Sequence, residues 1–221
     1  MSDADSIVVR LSKLDTPAVS DALDRLEVPG RVIGILRLTT GKRIAGKVLT
    51  VKLGTGEALS GPVRHLCTAA VEAASSGDIL VIEQRSGVEA AGWGGILSHG
   101  AQVKGIAGVI CDGPVRDIDE SRDLDFPVFA RYAIPTTARG RIVEEAFNEP
   151  VRVGDVTVSP GDYVLADGSG ICFLETARAA EIVDMAEMVA RREALMTEAV
   201  RAGKPISEVM GADYENMLAR D

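Results

Sequence analysis

Residues 93–117 read WGGILSHGAQVKGIAGVICDGPVRD. The stretch decides the fold class because its two halves carry different patterns. Glycines 92, 94 and 95 introduce ILSHGAQVK, a predicted helix, and GVICD (108–112) is a short apolar run of the kind that forms a buried strand. A helix feeding a buried strand is the repeating piece of an α/β sheet. The strand is expected to stop at Asp112 and Gly113-Pro114 to turn the chain, so that Arg116 and Asp117 emerge on the loop beyond.

Outward from this stretch the alternation continues. Upstream, ILVIE (79–83) follows the turn SSGD as a strand, GPVRHLCTAAVEAAS (61–75) reads as a helix, and IAGKVLTVKL (44–53) alternates as a strand does. Before them, TPAVSDALDRLEV (16–28) has the marks of a short helix. Thr16 is the expected cap, Pro17 fits the first turn, and Val19, Ala22, Leu23 and Leu26 make an apolar stripe. Downstream, the acidic segment IDESRDLD precedes a strand, FPVFARY (126–132), and residues 141–175 form a run of short strands with Gly and Asp turns. From Thr176 to about Asp221 the pattern is helical, with Ile182, Val183, Met185, Ala186 and Val189 on one face. Neither a low-complexity linker nor an internal repeat interrupts this order. The expectation is one α/β domain over 1–221 with a mixed sheet, a core at about 15–175 and a C-terminal helical region at 176–221.

Composition narrows the function. At 221 residues, with 46% apolar and 26% charged, the chain can bury a sizeable core. Mean hydropathy is +0.14, spread over many Ala and Val, and no run approaches the roughly 20 apolar residues that cross a bilayer. The opening MSDADSIVVRLSKLD lacks a basic-then-apolar leader pattern, so a cytoplasmic protein with no membrane partner is expected. A net charge of −9 without any basic cluster argues against a nucleic-acid partner. ARREALMTEAVRAGK mixes signs at helical spacing, as a solvated helix face does. Cys67, Cys111 and Cys172 are odd in number and lack CxxC spacing, which suggests buried, reduced thiols.

The ends of residues 93–117 hold the chemistry. A helix start offers unpaired N–H groups and partial positive charge to an anion, and Gly94 and Gly95 leave that backbone open. Arg116 presents a planar fork for a carboxylate, and Asp117 a hard oxygen ligand of the type magnesium takes. Taken singly, a glycine pair also makes a plain tight turn, and an Arg-Asp pair also serves as a surface pair.

Together, TPAVSDALDRL, AGKVLTV, the WGG turn with its helix, KGIAGVICDGPVRDIDE, FPVFAR and VSPGDYVLADGSGICFL resemble the 4-hydroxy-4-methyl-2-oxoglutarate aldolase family, which includes the RraA-like regulators of ribonuclease E activity. The pieces stand in the family's order over most of residues 15–175. The resemblance implies an RraA-like swivelling β/β/α domain with a mixed sheet and C-terminal helices, assembled as trimers or hexamers with sites between subunits. It implies a class II pyruvate aldolase or oxaloacetate decarboxylase acting on a small 2-keto or hydroxy dicarboxylic acid. Arg116 then binds the substrate carboxylate, the amides of Gly95, Ile96 and Leu97 complete that pocket, and Asp117 holds a divalent metal, Mg2+ or Mn2+. Such a metal stabilises the pyruvate enolate left by carbon–carbon cleavage.

One departure matters. The aldolases carry an acid separated from the Arg by twenty residues, in a pattern written D-x20-R-D, and that position here is Gly95. His99, four residues on, faces the same way and is a candidate acid or base in its place; a structural hydrogen-bonded His is the competing reading. Asp112 is a candidate orienter of the Arg-Asp loop, and Glu193 a candidate contribution to a neighbour's site. His65 and Asp167 read as structural, the latter as a turn residue. Because the acid is missing, two further readings stand beside the lyase: an enzyme of altered chemistry (hydrolase, hydratase or isomerase), and a non-catalytic regulator that binds a protein.

Overall fold

The computed structural model describes residues 3–60 and 64–211. In chain order it runs α1 (Asp3–Leu11), α2 (Thr16–Arg25), β1 (Arg31–Val32), β2 (Leu36–Arg37), β3 (Ile44–Gly54), α3 (Thr68–Ala73), β4 (Ile79–Gln84), α4 (Gly95–Lys104), β5 (Gly108–Val115) and α5 (Ile118–Asp123). It continues through β6 (Val128–Ala133), β7 (Val143–Phe147), β8 (Val151–Val153), β9 (Val156–Val158), β10 (Tyr163–Ala166), β11 (Ile171–Leu174), α6 (Ala179–Arg201) and α7 (Ile206–Val209). This is the expected α/β domain with a mixed sheet and C-terminal helices. Strands β3, β4, β5 and β6 pair in parallel, each joined to the next through one of α3, α4 and α5. The antiparallel strands β10, β11 and β1 extend one side, β2 closes the other, and β7 adds to β3.

Each layer follows from burial. One face of the sheet packs Trp93, Leu97, Ala101, Val109 and Phe126 under α3–α5. The other face is covered by the β8–β9 hairpin, whose Val151, Val153, Val156 and Val158 meet Ile79, Val81, Ile110 and Phe129. A third cluster joins α1, α2 and α6 to β10 and β11 through Leu11, Leu23, Leu165, Ile182 and Val183. On α6, Ile182, Val183, Ala186 and Val189 are buried and Met185 packs partly against them, as the stripe predicts. All three cysteines are buried free thiols, and burial pushes each thiol up, that of Cys172 to about 12.

Several local expectations need correction. The helix expected over 61–75 spans Thr68–Ala73, and residues 61–63 lie outside the described residues. The end of the C-terminal helical region, 212–221, lies outside them too. Asp15, not Thr16, caps α2 by accepting from the Ala18 N–H at 3.0 Å. Thr16 instead donates its hydroxyl to Asp167 at 2.6 Å. Strand β5 does not stop at Asp112: it continues to Val115, with a register shift between Cys111 and Pro114. A bulge there absorbs the proline, which has no N–H to give a ladder. Gly113 is needed because a Cβ would stand 2.4 Å from the Gln84 carbonyl oxygen. The acidic segment after Asp117, to which the sequence pattern assigns no element, forms a helix, α5. Helix α1 was not expected, since its short apolar pattern reads only against the third cluster.

Candidate active site

The site forms where β5 ends beside the loop leading from β4 into α4, at the carboxyl ends of parallel strands, where ligand sites of α/β sheets collect. Two backbone bonds clamp these segments together. The Gly92 N–H donates to the Pro114 carbonyl at 2.8 Å, and the Arg116 N–H to the Trp93 carbonyl at 3.0 Å. Both ends of residues 93–117 are thus adjacent in space.

A buried chain of side chains fixes the clamp. Trp93 is 2% exposed and lies 6.4 Å, ring to ring, from Phe126 in a stacked arrangement. Its indole N–H donates to Ser98 Oγ at 2.8 Å, and Ser98 Oγ lies 2.8 Å from Ser121 Oγ on α5. Indole N–H groups seek a partner when buried, so Trp93 locks the starts of α4 and α5 into one unit.

Over that unit stand two carboxylates. Asp117 has φ +55, a left-handed conformation that Asp tolerates better than most residues with a Cβ. Its Oδ2 accepts from the Gly95 N–H at 2.9 Å and lies 3.2 Å from Arg116 Nε. A Cβ on Gly94 would stand 2.8 Å from the same Oδ2. A Cβ on Gly95 would stand 1.8 Å from Glu120 Oε2. The space that a side chain at 95 would need is filled by the Glu120 carboxylate, supplied from α5. Gly94, with extended backbone, offers α4 no side-chain cap, so the positive end of the helix is satisfied by Asp117 instead.

These groups line a recess of about 430 Å3 with Trp93, Ile96, Leu97 and Thr137. Of the residues singled out from sequence, Gly95, Ile96, Leu97, Arg116 and Asp117 therefore share one recess. Ile96 is 86% exposed. His99 reaches the place of the missing acid only indirectly, with Nε2 3.0 Å from Glu120 Oε1. His65 also lines the recess and is exposed, with Nδ1 3.1 Å from the Leu66 carbonyl oxygen.

Asp112 and Glu193 are placed elsewhere. Asp112 is 4% exposed and its carboxylate accepts from Arg131 Nε at 2.6 Å and the Gly154 N–H at 2.7 Å, with Arg85 Nε at 3.7 Å. Those partners lie toward the β8–β9 hairpin, so Asp112 ties the hairpin to the sheet rather than orienting the Arg116–Asp117 loop. The bulge in β5 separates the two. Glu193, on α6, is held up by burial and by the nearby charges of Asp15 and Asp21, which places it beside α2 rather than at this chain's recess.

Glu120 is the residue that sequence reading missed. The available signal was its spacing: three residues beyond Asp117, it shares a face with it on a helix. Without a helix assigned to this acidic segment, that spacing carried no meaning.

Among the described residues no three or more His, Cys, Asp or Glu side chains are grouped to hold a metal. Asp117 and Glu120 give two hard carboxylates, one against each glycine of the pair. Such a set suits an ion that takes one or two protein carboxylates and keeps its other positions for water and substrate. It does not suit a closed cage of nitrogen or sulfur ligands. Among the described residues no helix is long and apolar enough to cross a membrane.

Comparison with known proteins gives the following. A family model described as RraA-like: Aldolase/RraA matches residues 16–173. The chain spans 33% and 60% of the lengths of two curated relatives, Protein DlpA of Legionella pneumophila (24% identical over 92% of this chain) and an uncharacterized protein of Methanocaldococcus jannaschii (32% identical over 57% of this chain). A putative 4-hydroxy-4-methyl-2-oxoglutarate aldolase of Halalkalibacterium halodurans is 29% identical over 85% of each chain. Among solved structures, an uncharacterized protein from Pseudomonas syringae superposes with a TM-score of 0.83 at 30% identity, covering 94% of this chain and 98% of that one. RraAS2 of Streptomyces coelicolor, described as an unusual member of the RNase ES inhibitor RraA protein family, superposes with a TM-score of 0.75 at 26% identity, covering 86% and 94%.

Proposed function

The chain belongs to the RraA-like family, and on that premise we propose that it is a divalent-metal-dependent lyase cleaving a carbon–carbon bond next to a small 2-keto acid, by retro-aldol reaction or decarboxylation. The observation that carries this reading is the Glu120 carboxylate in the space a side chain at Gly95 would occupy. The acid missing from position 95 is replaced through space, from the next helix.

The roles follow from chemistry. Arg116 forks the carboxylate of the keto acid, and the Ile96 and Leu97 amides, left over once the Gly95 N–H is given to Asp117, add donors to the same oxygens. Asp117 and Glu120 hold Mg2+ or Mn2+, which when bound supplies Lewis-acid stabilisation for charge developing on the keto oxygen. Asp117 also accepts from Gly95, so its orientation is set before any ligand arrives. His99, bonded to Glu120, positions that carboxylate. Trp93 and the serines beneath it keep the two carboxylates in register with Arg116. Retro-aldol cleavage and oxaloacetate decarboxylation pass through one pyruvate enolate, so one site serves both.

The test is oxaloacetate decarboxylation with added Mg2+ or Mn2+. Activity that is lost on chelation, and in R116A, D117A and E120A, supports the lyase. Activity indifferent to metal points to an enzyme of altered chemistry. A protein that neither turns over a keto acid nor binds the metal by calorimetry is a regulator of the kind the RraAS2 description names. A pure interaction module has no use for two carboxylates poised over bare glycines, and we therefore rank it last. The reading further carries a cytoplasmic, homo-oligomeric protein, a trimer or hexamer, with a small carboxylate as its partner.

A further inference from the structure

The roles given to Arg116, Asp117 and Glu120 leave one ionisable group of the recess without work: His65, on the segment leading into α3. Its backbone is fixed from the helix side. Thr68 Oγ1 donates to the His65 carbonyl at 2.7 Å, and the Thr68 N–H donates to it at 3.3 Å. Two residues beyond His65, the Cys67 N–H donates to Glu144 at 2.6 Å, and Cys67 Sγ lies 3.7 Å from the Gly92 carbonyl oxygen. These bonds tie the segment bearing His65 to the loop that bears Gly94 and Gly95.

The tautomer of His65 follows from its ring contact. Nδ1 lies 3.1 Å from the Leu66 carbonyl oxygen. A carbonyl can only accept, so Nδ1 carries the hydrogen of the neutral ring and Nε2 keeps its lone pair. Nε2 has no hydrogen-bond partner among the described residues. The other polar side chains of the recess are committed. Trp93 donates to Ser98, and Thr68 donates to the His65 carbonyl. Asp117 accepts from the Gly95 N–H beside Arg116, and Glu120 is bonded to His99. The Thr137 hydroxyl accepts from the Arg139 N–H at 3.3 Å. The one open basic nitrogen in the recess is that of His65.

We propose that His65 is the general acid and base of this site, moving the proton that retro-aldol cleavage requires. That role rests on the lyase reading. Nε2 takes the proton of the substrate's hydroxyl as the carbon–carbon bond breaks. The hydroxyl carbon becomes a carbonyl, and the bonding pair passes into the enolate of the 2-oxo acid. The imidazolium then returns the proton to the enolate carbon, so no proton is gained or lost overall. Decarboxylation differs. Carbon dioxide leaves without any deprotonation, and the proton that the enolate then takes up can come from water. His65 therefore matters to reactions that begin by removing a proton and hardly to the release of carbon dioxide.

The test compares two assays on the Mg2+-loaded full chain. One is carbon dioxide release from oxaloacetate; the other is exchange of pyruvate methyl protons with deuterium oxide, followed by NMR. Exchange needs a base to remove the methyl proton, and release does not. His65 is exposed, so neither H65Q nor H65A threatens the fold. Both variants should slow exchange by about a hundredfold or more, the scale of general acid–base catalysis, and slow release by less than about threefold. Variants that exchange as fast as wild type, or that lose release and exchange alike, overturn the role of His65. A wild type that shows metal-dependent release but no exchange also overturns it and leaves the lyase reading standing. Exchange that depends on His65 but ignores omission of Mg2+ leaves His65 in its role while the metal-dependent reading falls. A wild type active in neither assay overturns both.

Discussion

Glu120 Oε2 lies 1.8 Å from the point where a Cβ of Gly95 would be, although the two residues belong to different helices. On the function proposed above, Glu120 takes over the work of an acidic side chain at position 95. This replacement is directly testable. E120A should lower metal-dependent oxaloacetate turnover by about a hundredfold, the scale of removing one preorganised electrostatic group at a reacting centre. G95D alone should also lose activity, because the new side chain collides with Glu120. The double variant G95D/E120A should recover activity relative to E120A, since it returns the carboxylate to the same space. Steady-state rates on one substrate and metal check all three; a double variant no better than E120A would show that the coincidence in space is without chemical meaning.

His99 touches Glu120 and not the glycine pair itself. An exposed pair of this kind is worth little to stability, at most about 1 kcal/mol. H99A should therefore leave folding nearly unchanged and lower turnover by only a few-fold, through a less well placed Glu120, with weaker metal binding as the accompanying change. H99Q, which keeps a hydrogen-bonding group, should retain most of the activity. A loss of a thousandfold or more in H99A with intact metal affinity would instead make the imidazole itself the acid or base.

Ser98 is 0% exposed and is the acceptor for the buried Trp93 indole. Its removal strands that N–H and breaks the link to Ser121. S98A should cost about 1–3 kcal/mol of stability. In a chain of this length each kcal/mol shifts the melting temperature by about 2–4 °C. Calorimetric melting of S98A and S121A measures this, and a fall in turnover at temperatures well below melting would show that the serine link also sets the site.

Asp167 gives the fold an acid-sensitive joint. Burial pushes its carboxyl up, but hydrogen bonds from the Thr16 hydroxyl and N–H and from the Ser169 N–H, with the charge of Arg43, outweigh this and hold it below the usual carboxylate range. A carboxyl with a depressed folded-state value contributes stability above its unfolded value and loses it as pH falls through the folded one. Denaturant unfolding should therefore show stability dropping below about pH 4, the ordinary carboxylate region. D167N should be less stable than wild type near neutrality and should show a smaller drop on acidification.

Much of the fold was legible because it depends on local pattern. The buried run at Gly108 and the apolar stripe of α6 bury against whatever lies across from them, so their periodicity alone reveals them. The failures were places where contact outweighs pattern. Gly113-Pro114 looks like a turn, yet β6 keeps pairing with the chain beyond it through a bulge. Thr16 looks like a cap, yet Asp167, distant in sequence, claims its hydroxyl. Asp167 proves to be both the turn residue expected of it and a tie to α2.

By itself the sequence determined the class of the protein and pointed to one half of the candidate site. Alternating helical and strand periods specify an α/β sheet, and Arg116 and Asp117 are neighbours in the chain and cannot be far apart in space. Only the tertiary structure decided that a second carboxylate, that of Glu120, stands beside Gly95 and that Asp112 serves the hairpin. The physical reason is that covalent adjacency fixes distances over a few residues. The meeting of Gly95 with Glu120 depends on how two helices pack, and no local pattern encodes that packing.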